Sequence, residues 1–322
     1  MRWTGKAILW LAVALLVLAL VGAIYQAIAT ARAERAYPPP GEMVGVGDHR
    51  MHIDCAGRGS PTVVLDAALG ATSASWVWVQ REVSATTRVC AYDRSGMGCS
   101  ERGPDPRDAK QVSDELHASL EGDGTDGPYM LVGHSFGGLY AQTYASRYPE
   151  EVAGVALIES SHPDQFDRLP EARDSYAQTE RLYAVGSLLA RIGVVRLFDL
   201  SPAPAELPPK QRAQLVALNP STQQVSTTTQ EFRAAPQSTA QAAHLRSLGG
   251  KPLVVVSAGT RSSGWLALQD DLATLSPNSV HRVVEGATHA SVVYDRSDAR
   301  QTSAAIVEVV AAVRNDRGPA RR

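Results

Sequence analysis

The sequence predicts an α/β fold: a mostly parallel sheet with helices on both faces and a helical insertion above one edge. Three observations carry this. Short apolar runs alternate with amphipathic helical segments along most of the chain, as buried strands joined by crossover helices do. One run, Met130 to Val132, leads straight into Gly133-His-Ser135-Phe-Gly137 and then into a helical pattern from Leu139 to Tyr148. One long stretch, 162–250, breaks the rhythm and carries no strand signal. With 322 residues, net charge −2 and 44% hydrophobic residues, the composition is ordinary for a globular chain. Near-neutral charge offers no basic patch, so no nucleic-acid partner is expected.

The N-terminal segment, 1–36, stands apart. Ala7 to Ala29 holds no charged residue and is dominated by Leu, Ala, Val and Ile. At about 1.5 Å per residue it can cross a ~30 Å hydrocarbon core. A cleaved leader is the competing reading, with Ala27-Ile-Ala29 as its cleavage site. The run exceeds the ~7–15 apolar residues of a leader, which favours a retained single-pass anchor in a membrane. Arg2 and Lys6 precede the run and Arg32 and Arg35 follow it, so the flanking charges constrain orientation weakly. The expected arrangement has the N-terminus inside and the body exported.

Tyr37 to Gly41, a 37–41 linker with three prolines, cannot be helical and is expected to separate anchor from body. Glu42 to Val46 and His49 to Cys55 read as strands joined by Gly47-Asp48, an antiparallel hairpin. Thr62 to Leu65 is a buried strand followed by the loop Asp66 to Ser73. A helix over Ala74 to Ser84, a strand over Arg88 to Tyr92, a Gly-rich turn over Asp93 to Ser100 and a helix over Asp108 to Glu121 come next. Then follow the strand before Ser135, an apolar strand over Val152 to Ile158, and strands over Pro252 to Val256 and Val280 to Val284. Within 162–250, helical patterns cover Arg181 to Phe198 and Pro209 to Leu218. That insertion reads as a lid over the carboxyl end of the sheet, the edge where open α/β sheets bind ligands. Ser297 to Arg314 closes the body as an amphipathic helix, and 316–322 reads as a polar tail.

The serine of a Gly-x-Ser-x-Gly turn between strand and helix is lifted clear of the sheet, and the helix start aims N–H groups at a developing oxyanion. Asp93 reads as structural, a short side chain pinning its own turn. The three cysteines are Cys55, Cys90 and Cys99. An odd count leaves at least one unpaired. Cys55 and Cys90 fall in separate strands, and either a cross-strand disulfide or three buried thiols fits the sequence.

Over about residues 42–315 the chain resembles the α/β-hydrolase superfamily. The matching pieces are Val63 to Gly70, similar to the strand and oxyanion loop; Ala91 to Ser100, similar to the Asp-x-x-Gly-x-Gly-x-Ser turn; Gly133 to Gly137, the nucleophile elbow; and Gly286 to His289, the late histidine loop. The resemblance implies an eight-stranded sheet with an antiparallel second strand beside the fourth, which would set Cys55 next to Cys90. It also implies the chain order serine, acid, histidine.

Ser135 is then the nucleophile. It needs a base and a group that holds the base in one tautomer. Of eight histidines, His289 sits in a loop on the edge where Ser135 emerges and is the expected base. His281 alternates with apolar neighbours inside a strand. The loop Ser257 to Gly264, the commonest family position for the acid, has no carboxylate. Glu159, at the end of the strand before it, is favoured, with Asp270, Asp271 and Asp164 as alternatives. By resemblance the oxyanion donors are the N–H groups of Phe136 and Leu69, although Ala67-Ala68 replaces the usual His-Gly. The expected activity is hydrolysis of a carboxylic ester through an acyl-enzyme, on a small or lipid-like substrate, with no metal and no cofactor. A haloperoxidase-like or C–C bond hydrolase on the same triad, and a catalytically silent binding protein, are the alternatives. The apolar lid stripe suits either an acyl group or packing on the sheet.

Overall fold

The computed structural model describes residues 2–125, 127–201 and 203–315, with side chains from residue 5 onward; the tail expected over 316–322 lies outside them. In chain order the elements are α1 (Arg2–Ala36), β1 (Glu42–Val46), β2 (His49–Ala56), β3 (Thr62–Asp66), α2 (Val77–Val83), β4 (Val89–Tyr92), α3 (Ala109–Gly122), β5 (Tyr129–His134), α4 (Phe136–Arg147) and β6 (Val152–Ile158). The lid follows, with α5 (Gln165–Arg168), α6 (Pro170–Arg191), α7 (Val194–Leu197), α8 (Pro209–Leu218), α9 (Thr222–Arg233) and α10 (Ala235–Ala242). The body ends with β7 (Leu253–Ala258), α11 (Ser263–Ala273), β8 (Ser279–Val284), α12 (Ser291–Tyr294) and α13 (Arg296–Asn315).

The eight strands form one sheet in the order β1-β2-β4-β3-β5-β6-β7-β8. β2 pairs antiparallel with both β1 and β4, and the other pairs are parallel. The unbroken apolar runs become two cores through the two-residue period of a strand. Val63, Leu65, Met130, Val132, Ala156 and Ile158 face one side, under Val79 and Val83 of α2 and Ile306 and Val310 of α13. Val64, Leu131, Val155 and Leu157 face the other, under Leu116 of α3 and Tyr144 of α4. Cys55 stands opposite Cys90 across β2 and β4, and the two are bonded, while Cys99 is free.

The lid holds more helix than the sequence suggests. The expected helix from Arg181 starts earlier, at Pro170, and breaks at Gly193, whose φ of 74° is left-handed. α9 and α10 had no apolar period to announce them. α9 buries Thr227, Thr228, Thr229 and Glu231 instead, behind an N-cap in which Ser221 accepts from the Gln224 N–H. Tertiary contacts override weak helix propensity there.

Residues 37–41 form neither helix nor strand, yet α1 is not held apart from the body as the linker suggested. Its carboxyl-terminal half lies on the lid. A Cβ at Gly22 would collide with the Ile192 carbonyl. The Gln26 amide donates to the Pro220 carbonyl at 2.8 Å and accepts from Arg196 Nε at 3.1 Å. Gly5–Ala36 is long and apolar enough to cross a membrane.

Candidate active site

β5 passes into α4 through one sharp turn. Ser135 takes φ 56° and ψ −119°, a strained region for a residue with a Cβ. Gly133 and Gly137 permit it. A Cβ on Gly133 would lie 2.5 Å from the Gly137 carbonyl carbon, and one on Gly137 2.8 Å from the Ala67 carbonyl oxygen. The Ser135 N–H donates to the Ile158 carbonyl at 3.1 Å, and the Ser161 N–H to the Ser135 carbonyl at 3.0 Å. The Ser135 turn is thereby tied to the carboxyl end of β6, where Glu159 stands.

Glu159 is fully buried, with φ 46°. Its Oε2 accepts from His289 Nδ1–H at 2.9 Å. Its Oε1 accepts from the Ala258 N–H at 2.8 Å and from the Trp265 indole N–H at 3.2 Å. Arg261 Nε lies 3.2 Å from Oε2, not aligned for a hydrogen bond, and its guanidinium stacks 4.0 Å over the Trp265 ring. The end of β7, the loop after it, which lacks a carboxylate, and the start of α11 supply the groups that hold Glu159. Arg261 and Trp265 were missed; a cation and an aromatic in the loop next to a candidate acid are the signal that could have found them. The other candidate acids lie elsewhere. Asp270 accepts from His281 Nδ1 at 2.6 Å, Asp271 pairs with Arg168, and the Asp164 N–H donates to His162 Nδ1.

With Nδ1–H committed to Glu159, His289 keeps Nε2 as a free acceptor, on a side chain 36% exposed. Among the described residues, Ser135 Oγ makes no hydrogen bond within 3.5 Å, to His289 or to any other group. Such bonds are often long before substrate binds. His134 points away from Ser135, as expected of the residue beside it: its Nε2–H donates to the His289 carbonyl at 2.9 Å, which fixes the histidine loop. Burial first, then the adjacent His289, push the His134 imidazole down to about 3. A depressed histidine stabilises the fold above its unfolded value of about 6.5, and that stability is lost as pH falls towards 3, at up to about 1.4 kcal/mol per pH unit. The unfolding free energy is therefore expected to drop as pH falls through 6–4, and His134→Gln to flatten that slope in urea titrations.

The loop after β3, Asp66 to Gly70, is pinned from below. Arg94, 2% exposed, donates to Asp66 Oδ1 at 2.8 Å, to the Ala67 carbonyl at 2.7 Å and to the Ala68 carbonyl at 3.0 Å. Its other edge forks onto Glu231 of α9 at 2.8 and 3.0 Å. Asp93 accepts from the Ser73 and Cys99 N–H groups and from His52, holding more than its own turn. A cavity of about 720 Å³ lies between this loop and the lid, lined by Leu69, Gly70 and Tyr294 below and by Leu182, Leu189 and Val225 above. Neither Ser135 nor His289 lines it.

Among the described residues, two groups bring possible metal-ligand atoms within 4.8 Å of one another, His52-Asp93-Cys99 and His162-Asp164-Asp271. His52 is bonded to Asp93 and Asp271 to Arg168, so both groups already hold paired charges.

The strand order, the antiparallel second strand and the helical insertion after β6 are those of the α/β-hydrolase fold. A family model described as alpha/beta hydrolase fold matches residues 61–295, and the chain belongs to that family. An esterase from Thermogutta terrifontis has a TM-score of 0.65 at 20% identity, over 84% of this chain and 98% of the esterase. An epoxide hydrolase gives 0.63 at 18%, over 81% and 96%. At these identities the likeness is one of fold. In sequence, the (lyso)-N-acylphosphatidylethanolamine lipase of Mus musculus is 33% identical over 100 residues, 30% of this chain and 29% of the lipase. An AB hydrolase superfamily protein of Gibberella zeae is 31% identical over 105 residues, 31% of this chain and 33% of that protein. The chain spans only 20% and 22% of the lengths of relatives from Hormonema carpetanum and Schizosaccharomyces pombe.

Proposed function

We propose that the chain is a serine hydrolase of carboxylic esters, anchored by α1 to a membrane. Ser135 Oγ attacks the acyl carbonyl while His289 Nε2 takes its proton. The N–H groups of Phe136 and Leu69 stabilise the oxyanion. His289 returns the proton to the departing alcohol, and water, activated by the same ring, releases the acid. Glu159 keeps the His289 proton on Nδ1 and stabilises the imidazolium. Apart from the substrate and one water, every step uses groups of this chain. An ester is favoured over an amide because an alkoxide leaves more readily than an amine. A hydroxyl at position 135 forms an acyl-enzyme, whereas dehalogenase and epoxide hydrolase chemistry needs an aspartate there. The apolar cavity beside Leu69 suits an acyl chain, and the lipase among the relatives agrees with that substrate class.

The observation that carries this reading is the 2.9 Å bond from His289 to Glu159 at strand ends tied to the Ser135 turn. A fluorophosphonate probe tests it: the wild-type chain is expected to label at Ser135 and Ser135→Ala not at all, with ester turnover falling by about 10⁶. Folded wild-type protein that fails to label would instead support a silent binding protein.

A further inference from the structure

α1 meets the body on the lid, and the outside of the lid is apolar at that level. A crossing of ~30 Å needs about 20 residues, so one that begins at Ala7 runs to about residue 26. The lid is already in contact there: Gly22 lies against the Ile192 carbonyl, Tyr25 against Gly193, and Gln26, the one amide in the run, is buried against Pro220. On the far side of α1 at the same height, Ile24 and Ile28 are 52% and 49% exposed. The Ile192–Leu200 segment therefore sits at the boundary of whatever bilayer α1 spans.

That segment and the end of α6 next to it expose large apolar side chains. Leu188, Leu197 and Phe198 are 62–66% exposed, and Leu182, Val185 and Leu200 are 54–66% exposed. Scattered singly they would need no explanation, but such grouping marks a contact surface. Leu182, Val185 and Leu200 also line the cavity whose inner end reaches Leu69 and Gly70. The patch is thus the outer rim of the cavity.

We propose that the outer face of the lid docks into the lipid surface that α1 crosses, and that a long-chain acyl ester passes from the bilayer into the cavity without leaving apolar surroundings. The occupant is lipid because α1 holds this face at membrane depth. The route rests on the ester-hydrolase reading above; the docking does not.

The test uses the full chain in phosphatidylcholine vesicles. Leu188, Leu197 and Phe198 do not line the cavity, so Leu188→Ser/Leu197→Ser/Phe198→Ser is expected to keep p-nitrophenyl butyrate turnover within about twofold. It is expected to lose tenfold or more on p-nitrophenyl palmitate carried in the vesicles. Equal rates on both esters relative to wild type would overturn the route. Docking is read without activity, from an environment-sensitive dye on Phe198→Cys in a Cys99→Ser background. Arg58→Cys is the control, in the exposed turn at the amino edge of β3 and β4, opposite the lid. Lipid spin labels are expected to quench the dye at 198 and leave that at 58 unchanged. An unquenched dye at 198 overturns the docking, and a concentration-dependent blue shift without quenching would assign the face to a second copy of the chain. A wild-type chain that hydrolyses neither ester sinks the function, while the quenching still decides the docking.

Discussion

Glu159→Gln is expected to lower kcat for ester hydrolysis by about 10³–10⁴ with KM little changed, as loss of the carboxylate does in related triads. The physical reason lies in which proton sits where. Glutamine keeps the volume of Glu159 and still offers a carbonyl oxygen to the Ala258 and Trp265 N–H groups, which hold Oε1 at 2.8 and 3.2 Å. Its amide N–H then faces His289 Nδ1, where the carboxylate had accepted a proton at 2.9 Å. The imidazole must turn its hydrogen to Nε2, and a base that already carries a proton towards Ser135 cannot accept another. Arg261, 3.2 Å from Oε2, loses its countercharge in the same step, so some destabilisation accompanies the rate loss. Circular dichroism should still show a folded chain. Asp270→Asn and Asp271→Asn should turn over within about twofold of wild type, because those groups pair with His281 and Arg168. Retained turnover in Glu159→Gln together with loss in Asp271→Asn would remove Glu159 from the mechanism.

Sequence patterning made the sheet legible because its strands are buried on both faces and so read as unbroken apolar runs. Val152–Ile158 has the same bounds in the structure as in the pattern. The elbow was legible for a related reason: two glycines are forced by backbone approach, and no other residue fits. The lid was only half legible. α9 is Thr- and Gln-rich, and its burial depends on Arg94, which is 137 residues away from Glu231. Such a pair leaves no local period to detect. The packing of α1 on the lid was hidden similarly, since Gly22 and Gln26 sit in a run whose hydrophobicity alone suggests a free span. Arg261 was less legible because the loop after β7 carries no carboxylate of its own and instead helps to surround Glu159 from the neighbouring strand.

Arg94→Met is expected to cost about 3–5 kcal/mol of stability, the usual loss when one member of a buried ionic network is removed. The guanidinium satisfies Asp66, Glu231 and the carbonyls of Ala67 and Ala68 at 2.7–3.0 Å. Asp66 and Glu231 are 3% and 0% exposed, so no water replaces what is lost. Burial already pushes the Asp66 carboxyl up to about 6 against the opposing charge of Arg94. Without that charge it rises further. A carboxyl raised on folding favours the native state at low pH, and this contribution falls away as pH rises from its unfolded value through its folded one. The gap between wild type and variant is therefore expected to widen above pH 6, measurable as urea unfolding in detergent at pH 5 and pH 8. Glu231→Gln added to Arg94→Met should recover part of the loss, because the unpaired charge is gone. Catalysis should report the same network. With the Ala67 and Ala68 carbonyls released, the Leu69 N–H loses its fixed aim, and kcat should fall about tenfold or more while KM holds. Arg94→Lys keeps the charge without the fork, so it should restore more stability than rate. A variant as stable as wild type at both pH values, with unchanged kcat, would mean that the oxyanion loop keeps its shape without Arg94.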